Sequence, residues 1–156
     1  MDFKNVLNIR NLISSLEWFE PSKKVYASFE GYLLPLDNDY CSYRGDYSDL
    51  ALQMSNNEGN TVKDVIDTLN KALDDKYMEG YKGGYFDIDG DTIVAVADYG
   101  YCGVYIVGVK EHSDYIELIL GCYDEYDKEY FIDYIKNNVN FEYKEVVDHG
   151  NLFHRA

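Results

Sequence analysis

Six apolar residues, Val62, Val65, Ile66, Leu69, Ala72 and Leu73, recur at helical spacing and put one apolar stripe on a helix over 61–75. Thr61 is its natural N-cap, and Asp64 stands in the first turn, where a negative charge suits the helix dipole. Such a stripe has to be buried against something, and the flanking sequence offers strands. "KVYASFEGYLL" (24–34) is rich in β-branched and aromatic residues and is expected to end before Pro35, with a loop of Asp, Asn and Tyr after it. "DLALQM" (49–54) reads as a short strand, and "SNNEGN" (55–60) as a turn cluster. "YFDI" and "TIVAVADY" read as two strands joined by a type I′ hairpin turn at Asp89-Gly90. "VYIVGVKEH" (104–112) and "DYIELILG" (114–121) continue as a meander that bends at "HSD", and "FEYKEVV" (141–147) is a last strand.

Two more helices are expected. Residues 3–17 carry Phe3, Val6, Leu7, Leu12, Ile13 and Leu16 at spacings of three to five, with Asp2 to cap the start and Pro21 to close the segment. Residues 126–137 would turn Tyr130, Phe131, Tyr134 and Ile135 inward. The expected fold is therefore α+β, a mostly antiparallel sheet with about three helices packed on it. The 156 residues fit a single domain, 1–156. Residues 1–21 are a candidate helical appendage, because their charge is balanced while the rest is acidic, and 149–156 are expected to be a loose tail.

Charge narrows the partners. Twenty-nine acidic residues face 14 basic ones, a formal net charge of −15. That surface repels nucleic acid and anionic membranes at long range, so neither is an expected direct partner. It serves solubility, and it also suits docking on a basic protein. Seventeen tyrosines are many for this length, enough to place rings on the surface as well as in the core. Cys41, Cys102 and Cys122 show no C-x-x-C spacing, the opening "MDFKNVLNIRNLISSLEWFE" has no uninterrupted apolar segment, and no stretch approaches membrane-spanning length. The expectation is a reduced cytoplasmic protein with free thiols.

The chemistry-bearing motifs are two glycine-flanked cations. Arg44, one of three arginines, lies in "SYRGDY", and Lys82 lies in "GYKGGY". Each is open to two readings. Arg44 either pairs with Asp46 or another carboxylate, or aims its guanidinium fork at phosphate with Tyr43, Tyr47 or Tyr81 stacking on a base. Gly83 and Gly84 either supply positive φ to a turn, or bring backbone N–H groups close to an anion that Lys82 neutralises. "GYKGGY" is not a P-loop, since it lacks G-x-x-x-x-G-K-[ST] and a strand follows it. "DIDGDT" has its glycine at the fourth place and strands around it, which suits a turn and not an EF-hand. His112, His149 and His154 have no metal-site company, so no metal and no other cofactor is expected. No nucleophile elbow or acid–base constellation stands out, which favours a non-catalytic protein.

Residues 42–109 resemble a family of small proteins found in bacteriophages and prophages. The matching pieces are "YRGDYSDLAL" (43–52), "TVKDVIDTLNKAL" (61–73), "GYKGG" (80–84), "DTIVAVADYG" (91–100) and "IVGV" (106–109). The chain departs from the pattern at Ala95, where the family often has tryptophan. No activity is established for the family. The resemblance implies a phage-type setting, in the host cell cytoplasm, and antagonism of host defence by analogy with accessory proteins of this size. It also makes a pocket shared by Arg44 and Lys82 more plausible than two unrelated turns.

Two functions follow. In the first, the protein binds and sequesters a small anionic nucleotide signal, with Arg44 and Lys82 on phosphate, Gly83 and Gly84 as backbone donors, and Tyr43, Tyr81 and Tyr99 packing base or sugar. In the second, it is an acidic inhibitor that docks on a basic host nuclease or other nucleic-acid-handling protein through "DNDY" (37–40) and "YDEYDKEYFIDY" (123–134). Self-association is compatible with either.

Overall fold

The computed structural model describes residues 6–43, 46–55, 59–80, 83–98, 101–122, 125–138, 144–148 and 153–155. Within them run, in chain order, α1 (Ile9–Leu16), β1 (Lys24–Phe29), β2 (Tyr32–Tyr43), β3 (Asp46–Met54), α2 (Val62–Asp75), β4 (Tyr77–Glu79), β5 (Tyr85–Asp87), β6 (Val94–Asp98), β7 (Tyr101–Glu111), β8 (Tyr115–Gly121), α3 (Glu125–Asn138), β9 (Lys144–Asp148) and β10 (Phe153–Arg155). The fold is α+β with a mostly antiparallel sheet, as the sequence indicates. The strand order is β1-β8-β7-β6-β3-β2-β9-β10, and β1 also pairs with β2. Six strands therefore close into a circuit, β1-β8-β7-β6-β3-β2, and β9 with β10 extends from β2. Closure leaves those six strands few open edges for another chain to pair with. Two joins in the circuit are parallel, β1 with β8 and β3 with β6.

Register gives the sheet two distinct faces, because side chains alternate and paired residues share a face. Val25, Leu34, Leu52, Val96, Ile106 and Leu118 lie on the face that the helices cover, in one core with Ile9, Leu12 and Leu16 of α1, Val65 and Leu69 of α2, and Phe131 and Ile135 of α3. A fully buried leucine or isoleucine here stabilises the fold by roughly 1.5–3 kcal/mol relative to an exposed one. The opposite face carries small and polar residues and a separate cluster of Val6, Ala95 and Tyr105.

Local signals explain most elements. α2 starts at the expected cap: Thr61 accepts from the Asp64 amide, and Asp64 returns a bond to the Thr61 amide, a complete capping box. Lys76 ends it in the left-handed conformation, φ 68°. Asp2 and Phe3 lie outside the described residues, and α1 begins only at Ile9, capped by Asn8. Val6 and Leu7 are extended. The Leu7 amide donates to Ile106 O and Leu7 O accepts from the Val94 amide, so this residue wedges between β7 and β6 where the two strands part.

Several expectations need correction. The segment 24–34 is a hairpin and not one strand: Phe29 pairs with Tyr32, and the turn is Glu30-Gly31, both with positive φ (48° and 89°) as a type I′ turn requires. β2 does not stop before Pro35 but runs through it to Tyr43, and the residues 37–39 expected in a loop form an irregularity between the Leu36–Met54 and Tyr40–Leu52 pairs. Asp89-Gly90 is a turn closed by the Thr92 amide on Asp89 O, but it has no positive φ and joins strands of different sheets: β5 pairs with β4, whereas β6 pairs with β3 and β7. In α3, Phe131 and Ile135 are buried, but Tyr130 points outward at 44% exposure. The tail expected to be loose contributes β10, paired with β9.

Candidate functional site

One row of the face opposite the helices crosses five strands. Register aligns Cys41, Ala51, Ala95, Tyr105 and Gly121 from β2 to β8. Ala95 and Gly121 flank Tyr105 in this row, and Val6 packs with Ala95 and Tyr105. Tyr43 meets the Tyr105 ring edge-on, with centroids 5.4 Å apart and planes at 79°. The Tyr105 hydroxyl donates to Asp49 Oδ2 at 2.8 Å. Tyr105 is 9% exposed and Tyr43 partly buried, so Tyr43 is the more open ring of the pair, with a fixed carboxylate beyond it in partly dry surroundings.

Further along the same face, Tyr26, Glu117 and Lys110 share a second row across β1, β8 and β7. Glu117 accepts from the Ser28 hydroxyl on one oxygen and from His112 Nε2, 2.7 Å away, on the other. His112 stacks on Tyr115, with ring centroids 4.5 Å apart. Serine, histidine and a carboxylate are thus together, but in the wrong order for nucleophilic catalysis. A hydrolytic triad puts histidine between the nucleophile and the acid. Here the carboxylate is in the middle, and His112 has no route to the Ser28 proton. The two bonds on Glu117 tie β8 to β1 and to the turn that follows β7.

Of the residues singled out in the sequence, Tyr43, Gly83 and Gly84 are within the described residues, and Arg44, Tyr81, Lys82 and Tyr99 lie outside them. Tyr43 ends β2, so Arg44 follows the Tyr43–Tyr105 pair directly in the chain. Gly83 and Gly84 have φ of 90° and 80° and stand exposed in the turn between β4 and β5. The turn's own bonds use part of the expected donor set: Gly83 N–H donates to Gly80 O, and Gly80 N–H donates to Gly84 O, each at 2.9 Å. Gly83 is therefore a turn residue first. β4 packs on β2 and β5 on β3, so the two glycine motifs belong to neighbouring hairpins.

Sequence reasoning missed Tyr105 as the partner of Tyr43, and Asp49 as the partner of Tyr105. The signal was present as alternation within β3 and β7, but the contact requires knowing that β6 inserts between them and runs parallel to β3. A third polar group lies at the end of α2, on the covered side. Tyr40 donates its hydroxyl to Asp75, and Lys71 pairs with Asp75 at 2.8 Å with its ammonium 5.6 Å from the Tyr40 ring centroid. Burial first, then the bond to Asp75 and the charges of Asp75 and Asp39, push the Tyr40 phenol above its ordinary value. The Lys71 ammonium first, then the Tyr40 hydroxyl, hold the Asp75 carboxyl below its own.

Among the described residues no group of three or more metal-ligating side chains gathers, no helix is long and apolar enough to cross a membrane, and Cys41 and Cys122 form no disulfide. No protein-family model, curated protein or solved structure matches the chain.

Proposed function

We propose that the protein is a non-catalytic binding module that sequesters a small nucleotide, and that it serves a phage or prophage by withdrawing a host defence signal. The observation that carries this reading is the meeting of two hairpins. Tyr43, set edge-on against Tyr105, directly precedes Arg44 in the sequence, and the β4–β5 hairpin, whose two strands flank Lys82 in the sequence, packs alongside β2 and β3. The chemistry divides in a way that suits a nucleotide. A tyrosine pair with a carboxylate beside it accommodates a base and accepts hydrogen bonds from sugar hydroxyls or ring N–H groups, while the cations of the two glycine motifs suit phosphate. Ala95, where the resembling family often has tryptophan, pairs with Tyr105 in register, so that departure falls on the same face. The phage setting rests on the resemblance.

The test is a thermal-shift panel on the purified protein with cyclic di- and trinucleotides, cyclic ADP-ribose isomers and ordinary nucleotides at two salt concentrations, with the recovered ligand checked for cleavage. Stabilisation by several degrees with one nucleotide returned intact is the expected result, since a ligand that binds only the folded state raises its stability by mass action. Arg44→Ala should abolish that shift while the protein stays folded. A ligand returned as product would replace the binding reading with an enzymatic one, and a panel without any shift would overturn both.

A further inference from the structure

The β4–β5 hairpin is two-sided. Its inner side is anchored: Met78 is 7% exposed and belongs to the main core, Ile88 is 5% exposed, and the Ile88 amide bonds Lys76 O. Its outer side is a four-residue checkerboard. In antiparallel register Tyr77 stands opposite Asp87, and Glu79 opposite Tyr85. The tyrosines therefore sit on one diagonal and the carboxylates on the other. The two rings touch edge to face, with centroids 5.4 Å apart and planes at 89°. Tyr77 is 56% and Tyr85 69% exposed, and both carboxylate residues are exposed. Among the described residues neither Glu79 nor Asp87 forms an ion pair or a side-chain hydrogen bond.

We propose that this outer face docks an arginine-containing segment of a basic partner protein. Perpendicular rings form a corner with one open ring face, and a planar guanidinium can stack there while its N–H groups reach the carboxylate across the strand. Lysine has the charge but not the plane, so arginine is the matching residue. The chain's net charge of −15 draws a cationic segment in, and the checkerboard decides where it settles. Large exposed rings contribute little to the hairpin itself, whose packing comes from Met78 and Phe86 on the other side. The inference stands independently of nucleotide binding, because it uses the outer face of the hairpin and none of the residues assigned to a nucleotide.

A labelled octa-arginine peptide, with octa-lysine as its comparison, tests this by fluorescence anisotropy at physiological salt. Three double variants are needed, each checked for folding by circular dichroism. Tyr77→Ser/Tyr85→Ser keeps the net charge, Glu79→Gln/Asp87→Asn removes two charges on the face, and Glu17→Gln/Glu20→Gln removes two exposed charges elsewhere. The expected result is octa-arginine bound several-fold more tightly than octa-lysine, a loss of tenfold or more for each of the first two variants, and a change within about twofold for the third. Equal affinity for the two peptides, or an undiminished affinity in Tyr77→Ser/Tyr85→Ser, would reduce the binding to net charge and overturn the proposal. Self-association that the tyrosine variant abolishes would also overturn it, by making the occupant a second copy of this chain.

Discussion

Tyr105 reaches across β6 to donate its hydroxyl proton to Asp49, so one 2.8 Å bond ties β7 to β3 over a strand that holds only alanines on that face. Tyr105 is buried and Asp49 partly buried, and a partly buried carboxylate that loses a donor pays part of its desolvation cost. Tyr105→Phe keeps the ring against Tyr43 and removes only the hydroxyl. It should destabilise the fold by about 1.5 kcal/mol in urea unfolding. Asp49→Asn, which keeps an acceptor, should cost less. Equal stability of Tyr105→Phe and parent would mean that water replaces the bond.

The capping box at the start of α2 gives a second, independent stability test. Thr61→Ala removes the acceptor for the Asp64 amide and should cost about 1 kcal/mol. Thr61→Ser keeps the acceptor and should recover most of that in the same urea titration. A cost for serine equal to that for alanine would assign the effect to the threonine methyl instead.

α2 and its cap were legible because every signal is local: stripe, cap and first-turn acid fall within fifteen residues. The β7–β8 meander was legible for the same reason. What the sequence hid is long-range. Glu30-Gly31 carries the type I′ turn while the more typical Asp89-Gly90 does not, because the strands on either side of Asp89 are claimed by different partners, β4 on one side and β3 on the other. β2 runs through Pro35 because the proline stands where β2 passes from its β1 ladder (Tyr26 opposite Pro35) to its β3 ladder (Leu36 opposite Met54), and its carbonyl still accepts from the Ser55 amide. For the candidate site, Tyr43 was legible from its place beside Arg44. Tyr105 and Asp49 were not, being 56 residues apart and joined only by strand order.

The Tyr40–Asp75–Lys71 group should shape both ends of the pH–stability profile. The depressed Asp75 carboxyl contributes stability that is present above the ordinary carboxylate pKa near 4 and lost as pH falls below it. The raised Tyr40 phenol contributes stability that is full below about pH 10 and lost as pH climbs through its folded value. Melting temperatures from pH 2.5 to 11 should therefore show Tyr40→Phe flattening the alkaline limb and sparing most of the acid limb, since Lys71 is the larger influence on Asp75. Lys71→Met should flatten the acid limb most, and part of the alkaline limb too, because the Asp75 bond also raises the Lys71 ammonium and that contribution is lost at high pH. Identical profiles for parent and both variants would show that the group is too well solvated to matter.

The glycines of the β4–β5 hairpin should differ in what they tolerate, because each is needed for a different reason. A Cβ on Gly83 or Gly84 meets nothing within 4 Å, so only the positive φ of 90° or 80° opposes a side chain there. Gly83→Ala and Gly84→Ala should each cost about 1–2 kcal/mol, and Gly84→Asn less than Gly84→Ala, because asparagine enters the left-handed region more readily. Gly80 has ordinary φ, but a Cβ would lie 2.3 Å from Phe86 Cε2. Gly80→Ala must push that ring away, and Phe86 is the cross-strand partner of Met78, which anchors the hairpin. Amide exchange separates the two effects. In Gly80→Ala, protection should fall at Gly80 and Ile88, whose amides close the hairpin, while the α2 amides keep theirs. In Gly83→Ala, protection should fall chiefly at the Gly83 amide. A uniform loss over α2 as well would mean that the hairpin is part of the cooperative core and not a separately mounted arm.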